Sequence, residues 1–191
     1  AAGSPGQDGL DGDEGPMGPP GLRGPTGATG TGGVLGYWGS FWDTTNQSAA
    51  STTASYVIGI NTADPSSSGV SIVSGNQITF AAAGVYNIEF SIQFINTDTG
   101  AGDDNVDVWF RKNGVDITSS NSIFNVPTSK GGVNGALIAA ANFMLAVNAG
   151  DYVQLVWAVS TTTISIATIA AQVSPTVPQT PGVIVTAQQV M

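Results

Sequence analysis

Three aspartates near the middle of the chain carry oxygen ligands that a cation could use. Asp103, Asp104 and Asp107 lie close together, and Asp98 precedes them. Calcium takes about six to eight oxygen ligands, many of them from carboxylates. The cluster therefore predicts a calcium site at Asp103, Asp104 and Asp107. The spacing is not that of an EF-hand, and an acidic loop leading into a strand explains the same residues without a metal.

Composition excludes most other site chemistry. The chain has 191 residues and contains no Cys and no His. Disulfides, thiolate nucleophiles and imidazole-based triads are therefore ruled out. The remaining carboxylates are scattered, and nothing pairs them as a glycosidase would require. In residues 34–191 they are Asp43, Asp64, Glu89, Asp116 and Asp151. We expect no enzymatic activity and no cofactor other than the calcium considered above.

The charge balance excludes polyanionic partners. The net charge is −9, and the four basic residues are Arg23, Arg111, Lys112 and Lys130. Nucleic-acid binding depends on Lys and Arg, so we expect none. No apolar run approaches the roughly 18 residues of a membrane span, so no membrane insertion is expected. Only 9% of residues are charged, against about 25% in ordinary domains, which is typical of an exposed particle or cell-surface protein.

From about residue 34 the chain is predicted to form strands, because apolar and polar residues alternate. These strands would position the carboxylates named above. The clearest case is Val85 to Phe94, where Tyr86, Ile88, Phe90, Ile92 and Phe94 share one face. Similar patterns predict strands at 54–60, 69–73, 76–81, 106–110, 121–126, 135–147, 153–159, 163–169 and 182–190. Roughly ten short strands indicate an all-β jelly-roll sandwich over residues 34–191.

Three local segments sharpen this prediction. The alanine-rich stretch 136–146 has helical propensity, but its alternation and its neighbours favour a strand. Asn113-Gly114 predicts a β-turn. The proline-rich segment 174–182 cannot be a central strand and predicts an extended surface loop.

Residues 1–33 have a different period. Glycine occupies every third position, at Gly3, Gly6, Gly9, Gly12, Gly15, Gly18, Gly21, Gly24, Gly27, Gly30 and Gly33. Only glycine fits the axis of three coiled polyproline-type chains, so this period predicts a collagen-like triple helix. A disordered glycine-rich linker would have no such phase. The chain therefore divides into a stalk at 1–33 and a head at 34–191.

The stalk implies a homotrimer held together by its head. Ten triplets span only about 90–95 Å, and the acidic residues from Asp8 to Glu14 are opposed by Arg23 alone. We place the junction between Gly32 and Gly36, with the following aromatic strand near the three-fold axis. The segments 163–170 and 182–190 are apolar on both faces, which favours a subunit contact. Trp109 should project outward, most simply into an interface.

Three pieces of the head carry a family resemblance. They are Phe80 with Gly84-Val85-Tyr86-Asn87-Ile88-Glu89-Phe90, Arg111-Lys112-Asn113-Gly114, and Gly150-Asp151-Tyr152-Val153-Gln154-Leu155. Together with the collagen-like triplets, they make the chain resemble the complement-subunit globular-head family of the tumour-necrosis-factor-like superfamily. The resemblance implies a trimeric jelly-roll head.

Other segments narrow the resemblance further. Residues 39–45, 106–114 and 181–190 look like collagen-containing fibre proteins of bacteriophages and large viruses. This likeness implies a virion-surface fibre whose head binds a glycan or protein receptor on the host. The triplets at 24–29 are also similar to those of bacterial spore-surface or cell-surface collagen-like filaments, which is the alternative. A receptor would be sought at loops 61–68, 97–105 and 127–134.

Overall fold

The computed structural model describes residues 2–6, 9 and 36–191. The chain divides into one unit at Ala1–Val34 and another at Leu35–Met191. Of the phased glycines, Gly3, Gly6 and Gly9 are among the described residues, whereas Gly12 to Gly33 lie outside them, as does the predicted boundary at 33–34. The collagen-like triple helix stays a prediction.

The described part of the chain is all-β. Its strands are β1 (Trp38–Asp43), β2 (Gln47–Ser48), β3 (Tyr56–Val57), β4 (Thr62–Ala63), β5 (Val70–Val73), β6 (Gln77–Phe80), β7 (Gly84–Asn96), β8 (Asp103–Lys112), β9 (Val115–Asp116), β10 (Ser122–Pro127), β11 (Gly135–Val147), β12 (Tyr152–Val159), β13 (Ile164–Ile166), β14 (Gln172–Val173), β15 (Thr176–Val177) and β16 (Val183–Gln189). Within residues 2–6, 9 and 36–191 there is no helix, and hence none able to cross a membrane.

Two sheets form a sandwich. Sheet A contains the neighbours β11-β7-β16-β1-β4, with β13 and β2 joined to one end of β7. Sheet B has the order β10-β8-β12-β6-β5, with β3 paired to β12 and β9 to β8. A third, two-stranded sheet of β14 and β15 belongs to neither.

The pairings of the eight principal strands are nested. The first of them, β1, pairs with the last, β16, and inside this pair come β6 with β12, β7 with β11 and β8 with β10. An antiparallel ribbon of four nested pairs, wrapped so that alternate pairs fall in alternate sheets, is a jelly roll. The jelly-roll prediction is therefore confirmed.

The core lies between the sheets and follows the alternation of the sequence. Strand β7 buries Tyr86, Ile88, Phe90, Ile92 and Phe94, as predicted. Sheet B contributes buried side chains from β8 and β12, of which Trp157 is the largest. Each fully buried large side chain stabilises the fold by about 1.5–3 kcal/mol.

The alanine-rich segment is a strand and not a helix. Strand β11 pairs with β7 along its whole length, from Gly135 opposite Asn96 to Val147 opposite Gly84. Every second residue of β11, from Leu137 to Val147, points inward. Pairing with a long, buried neighbour outweighs the intrinsic helix propensity of alanine.

The sandwich has two distinct ends. At the proximal end the chain enters at Gly36, next to Gln189 near the C-terminus. The Asn113-Gly114 turn, which joins β8 to β9, is also at this end, and both residues have positive φ (49° and 83°) as a two-residue hairpin requires. Strands β7 and β8 meet the opposite, distal end at Asn96 and Asp103.

Candidate functional site: an uncovered sheet face and strand edge

The outer face of sheet A is an uncovered surface built from four strands, hereafter the sheet A face. Three cross-strand rows form it: Ala140, Ser91, Ile184 and Trp42; Asn142, Glu89, Thr186 and Ser40; and Met144, Asn87 and Gln188. Ile138 extends it on β11, opposite Gln93. Ile138 and Met144 are 61% and 57% exposed, so large apolar side chains lie in solvent here.

The sheet A face is nearly without charge. Glu89 is its only ionisable residue in these rows, and it lies between Asn142 and Thr186 with no Lys or Arg in the rows. A shallow depression of about 200 Å³ lies on the outer side of the paired strands β7 and β16, lined by Glu89, Ser91 and Ile184 among others. Depletion of charge around apolar side chains is characteristic of the centre of a protein–protein interface.

Strand β11 also leaves its free edge uncovered. In the described structure it pairs with β7 on one side only, and none of its 13 residues is charged. Long, apolar edge strands readily pair or pack with other chains unless they are protected. β11 itself contains no charged or proline gatekeeper. Lys112 of β8 donates to the Ala146 carbonyl at 3.2 Å, which protects only the C-terminal end of the edge.

The core is incompletely closed beside this edge. The inward-facing Leu137, Phe143 and Leu145 of β11 are only half-buried. Phe143 nevertheless stacks on buried Phe110, with 5.6 Å between ring centroids. Side chains that belong to the core but still meet solvent would gain further burial if another chain covered the edge. The face and the edge together can therefore support self-association.

Most residues predicted at subunit contacts lie on or under this surface. Trp38 and Trp42 of the predicted aromatic strand are half-buried on the outer side of β1, whereas Phe41 is in the core. Ile184 is 40% exposed between buried Val183 and Val185, so both sides of the last strand carry an apolar side chain at this point, whereas Thr186 and Gln188 make the rest of its outer side polar. In the 163–170 segment, however, Ile164 and Ile166 face the core.

Trp109 points outward, as predicted, but from sheet B. Its neighbours Val108 and Phe110 are buried, and its indole N–H donates to Asp116 at 2.9 Å. The same carboxylate accepts from Arg111 at 2.7 Å. These hydrogen bonds from Arg111 and Trp109 lower the pKa of Asp116. Trp109 is thus held within its own protomer, away from the sheet A face.

The predicted calcium ligands are not brought together. Alternation along β8 puts Asp104 on the inner side and Asp103 and Asp107 on the outer side. Asp104 accepts from the amide of buried Asn96 at 2.8 Å, and Asp107 from Asn121 at 2.6 Å. Residues 2–6, 9 and 36–191 contain no group of three or more His, Cys, Asp or Glu side chains able to hold a metal. Calcium binding stays a prediction without a converging ligand set in the protomer.

Two of the three predicted receptor loops meet at the distal end. The Ser129 N–H donates to the Asp98 carbonyl at 2.6 Å. The buried Thr128 hydroxyl is within 3.0 Å of the Gly100 carbonyl and 2.9 Å of the Gly102 carbonyl. Residues 97–102 and 128–134 therefore form one surface, hereafter the distal tip, on which Lys130 and Val133 are exposed. The third loop, 61–68, instead runs along β1, pairing through β4 and at Ser68 with Trp38.

Two of the resemblance motifs contact each other at the proximal end. The Asn113 side chain donates to Asp151 at 2.8 Å and accepts from the backbone N–H of Tyr152 at 3.0 Å. Asp151 also accepts from the Asn148 N–H at 2.8 Å and lies 3.7 Å from Lys112. The hydrogen bonds from Asn148 and Asn113, together with Lys112, lower the pKa of Asp151. These motifs therefore hold the Asn113-Gly114 turn against the turn at residues 148–151, which is a structural role.

Sequence reasoning missed the β11 edge and the outward side of β11. The signal was present, since Ile138 and Met144 occupy outward positions where polar residues would be expected. Which strand lies at a sheet edge depends on topology, and the alternation of residues does not contain that information.

Comparison with known proteins adds one structural similarity. No protein-family model and no curated protein matches the chain. Among solved structures, the chain is similar to the Eiger tumour necrosis factor of S. frugiperda, at 8% identity and a TM-score of 0.48, over 82% of this chain and 94% of that one. The jelly-roll assignment rests on the nested strand pairings described above.

Proposed function

We propose that the chain is the subunit of a homotrimeric fibre, in which three jelly-roll heads associate and hold three collagen-like stalk segments together. The observation that carries this proposal is the uncharged, uncovered β11 edge beside the sheet A face. The glycine period of residues 3–33 supplies the number of chains, because a triple helix needs three.

The positions of the β11 edge and the sheet A face support a closed ring of protomers. The β11 edge and the sheet A face are different patches, so one protomer's edge can pack on the next protomer's face. Such a head-to-tail contact generates a ring when its rotation closes. Three copies related in this way would bury the β11 edge of every protomer.

We further propose that the fibre is carried on a virion and that the distal tip binds a host-surface glycan or protein. Support comes from the viral-fibre resemblance of residues 39–45, 106–114 and 181–190 and from the position of the tip opposite Gly36. Binding loops commonly lie on a rigid β scaffold in this way. The alternative, a spore or cell-surface filament that coats without attaching, is supported by the triplets at 24–29.

Competition for attachment tests the receptor role. Purified full-length protein should block attachment of the virus to its host, and a Lys130→Glu, Val133→Asp variant should lose this block. Both side chains are exposed, so the fold should survive. Val73→Lys, on the exposed side of β5, is the matched control and should still block. Equal blocking by all three proteins would contradict tip binding, and no blocking by any would favour the coating role.

A further inference from the structure

Residues 169–180 form an arm that projects from the head between β13 and β16. Its base is closed by Ile169 and Thr180, whose backbone N–H and C=O groups exchange hydrogen bonds of 3.0 and 2.9 Å. Beyond this pair, β14 and β15 form a small hairpin that joins neither main sheet. Every residue from Ile169 to Gln179 is exposed. The prediction of a surface segment at 174–182 is confirmed for residues 174–179, which are exposed, whereas Gly182 is buried. Within it Thr176–Val177 is extended as a strand and pairs with β14, which the prediction of an unpaired loop did not include.

The composition of the arm is unsuited to solvent. It has no charged residue. Val173 is 92% exposed, Ile169 48% and Val177 39%. An isolated two-stranded hairpin is marginally stable in water. The cross-strand register puts Val173 beside Thr176 on one face and Val177 beside Gln172 on the other, so each face carries an exposed valine that a partner could bury. Pro175 and Pro178 restrict the backbone and so reduce the entropy lost when the arm is fixed against a partner.

The root of the arm lies at the border of the sheet A face. The Ala167 N–H donates to the Gln93 carbonyl at 2.9 Å, and the Gln93 N–H donates to the Gly182 carbonyl at 2.8 Å. Gln93 is directly opposite Ile138 of β11. The arm therefore leaves and rejoins the sandwich beside the surface where another copy would pack.

We infer that the arm is a clasp that packs on the neighbouring copy of this chain and stabilises the trimer. This inference rests on the proposed self-association of the head. The arm and β11 are both uncharged and apolar, so contact between them would bury apolar area without burying an unpaired charge. A second copy is the occupant that continuity with the sheet A face favours.

Shortening the arm tests the clasp directly. Residues 170–179 are replaced by Asn-Gly, which suits a two-residue hairpin between the paired Ile169 and Thr180. We expect the trimer to dissociate at a concentration at least about tenfold higher in sedimentation velocity, as loss of a few buried apolar side chains would cause. The far-ultraviolet circular dichroism of the head should not change. A milder variant, Val173→Ser with Val177→Ser, should shift dissociation in the same direction.

The control and the contrary outcomes separate this inference from the proposed function. Val115→Ser, a 71% exposed valine on β9, should leave dissociation unchanged. If the wild type is a trimer and the short-arm variant dissociates at the same concentration, the clasp is overturned and the fibre proposal stands. A short-arm trimer of full stability that has lost host attachment would overturn it too, and would make the arm a receptor contact. A monomeric wild type would instead overturn the proposed function.

Discussion

At the proximal end, single side chains hold the Asn113-Gly114 turn against the turn at residues 148–151. Asp151 is central because it accepts hydrogen bonds from Asn148 and Asn113 and lies near Lys112. A neutral side chain at this position would keep part of the hydrogen bonding and lose the ionic part.

Asp151→Asn should reduce stability in a pH-dependent way. The pKa of Asp151 is lowered in the folded protein, so its carboxylate stabilises the fold above its ordinary value of 3.8, and this contribution is lost as the pH falls through the lowered pKa. We expect the thermal midpoint of the variant to lie below wild type at pH 7 and to converge with it in strong acid. Asp103→Asn, on the exposed start of β8, is the control and should track wild type. A difference in thermal midpoint between variant and wild type that is the same at all pH values would contradict this role for the carboxylate.

Gly135 is required where the chain, after leaving β10 in sheet B, enters β11 in sheet A. A Cβ at this buried position would overlap the carbonyl group of Pro127, which is backbone and cannot move aside easily. Gly135→Ala should therefore destabilise the head by roughly 1–3 kcal/mol, as overpacking does. Gly59→Ala is the matched control, because its Cβ would meet only the Gln47 side chain at ordinary contact distance. Urea unfolding measures both, and equal stabilities would show that the 127–135 junction relaxes freely.

Among the strands, β11 contributes to the core and, in the proposed trimer, also to the subunit contact. Its inward side chains complete the core only in part, and its outward side chains cover nothing within the protomer. A substitution on the outward side should therefore affect association more than folding.

Ile138→Lys should convert the trimer to monomers while the head stays folded. A lysine buried at the centre of an interface without a partner is strongly unfavourable, and in the monomer the side chain is 61% exposed. Val73→Lys, at 45% exposure on β5 at the far edge of sheet B, should remain trimeric. Size-exclusion chromatography with circular dichroism checks both properties. A trimeric, folded Ile138→Lys protein would place the contact elsewhere.

The sequence was sufficient to predict most strands but not their neighbours. Alternation predicted β7, β8, β11 and β12, because a buried side chain at every second residue leaves a local signal. The edge position of β11, the separation of Asp104 from Asp103 and the arm at 169–180 depend on pairing and on strand faces. Asp103, Asp104 and Asp107 are close in the chain, but successive residues of a strand point to opposite sides, so closeness in sequence does not make them converge.

For the whole molecule, the proposal makes the stalk depend on the head and not the reverse. Gly18→Val should abolish or lower the collagen-type melting transition, since a side chain does not fit the triple-helix axis. The head should remain trimeric. Met17→Ala, at a neighbouring position of the same repeat that admits side chains, is the control. Circular dichroism follows the stalk and sedimentation follows the trimer. Dissociation of the head in the Gly18→Val protein would reverse the proposed dependence.

In the proposed fibre, the stalk, the clasp and receptor display all depend on self-association of the head. The most direct measurement is the mass of the full-length protein in solution, by light scattering coupled to size exclusion. A homotrimer predicts three times the 19.2 kDa mass of one chain, retained above the melting temperature of the stalk. A particle with the mass of a single chain would contradict the trimeric fibre.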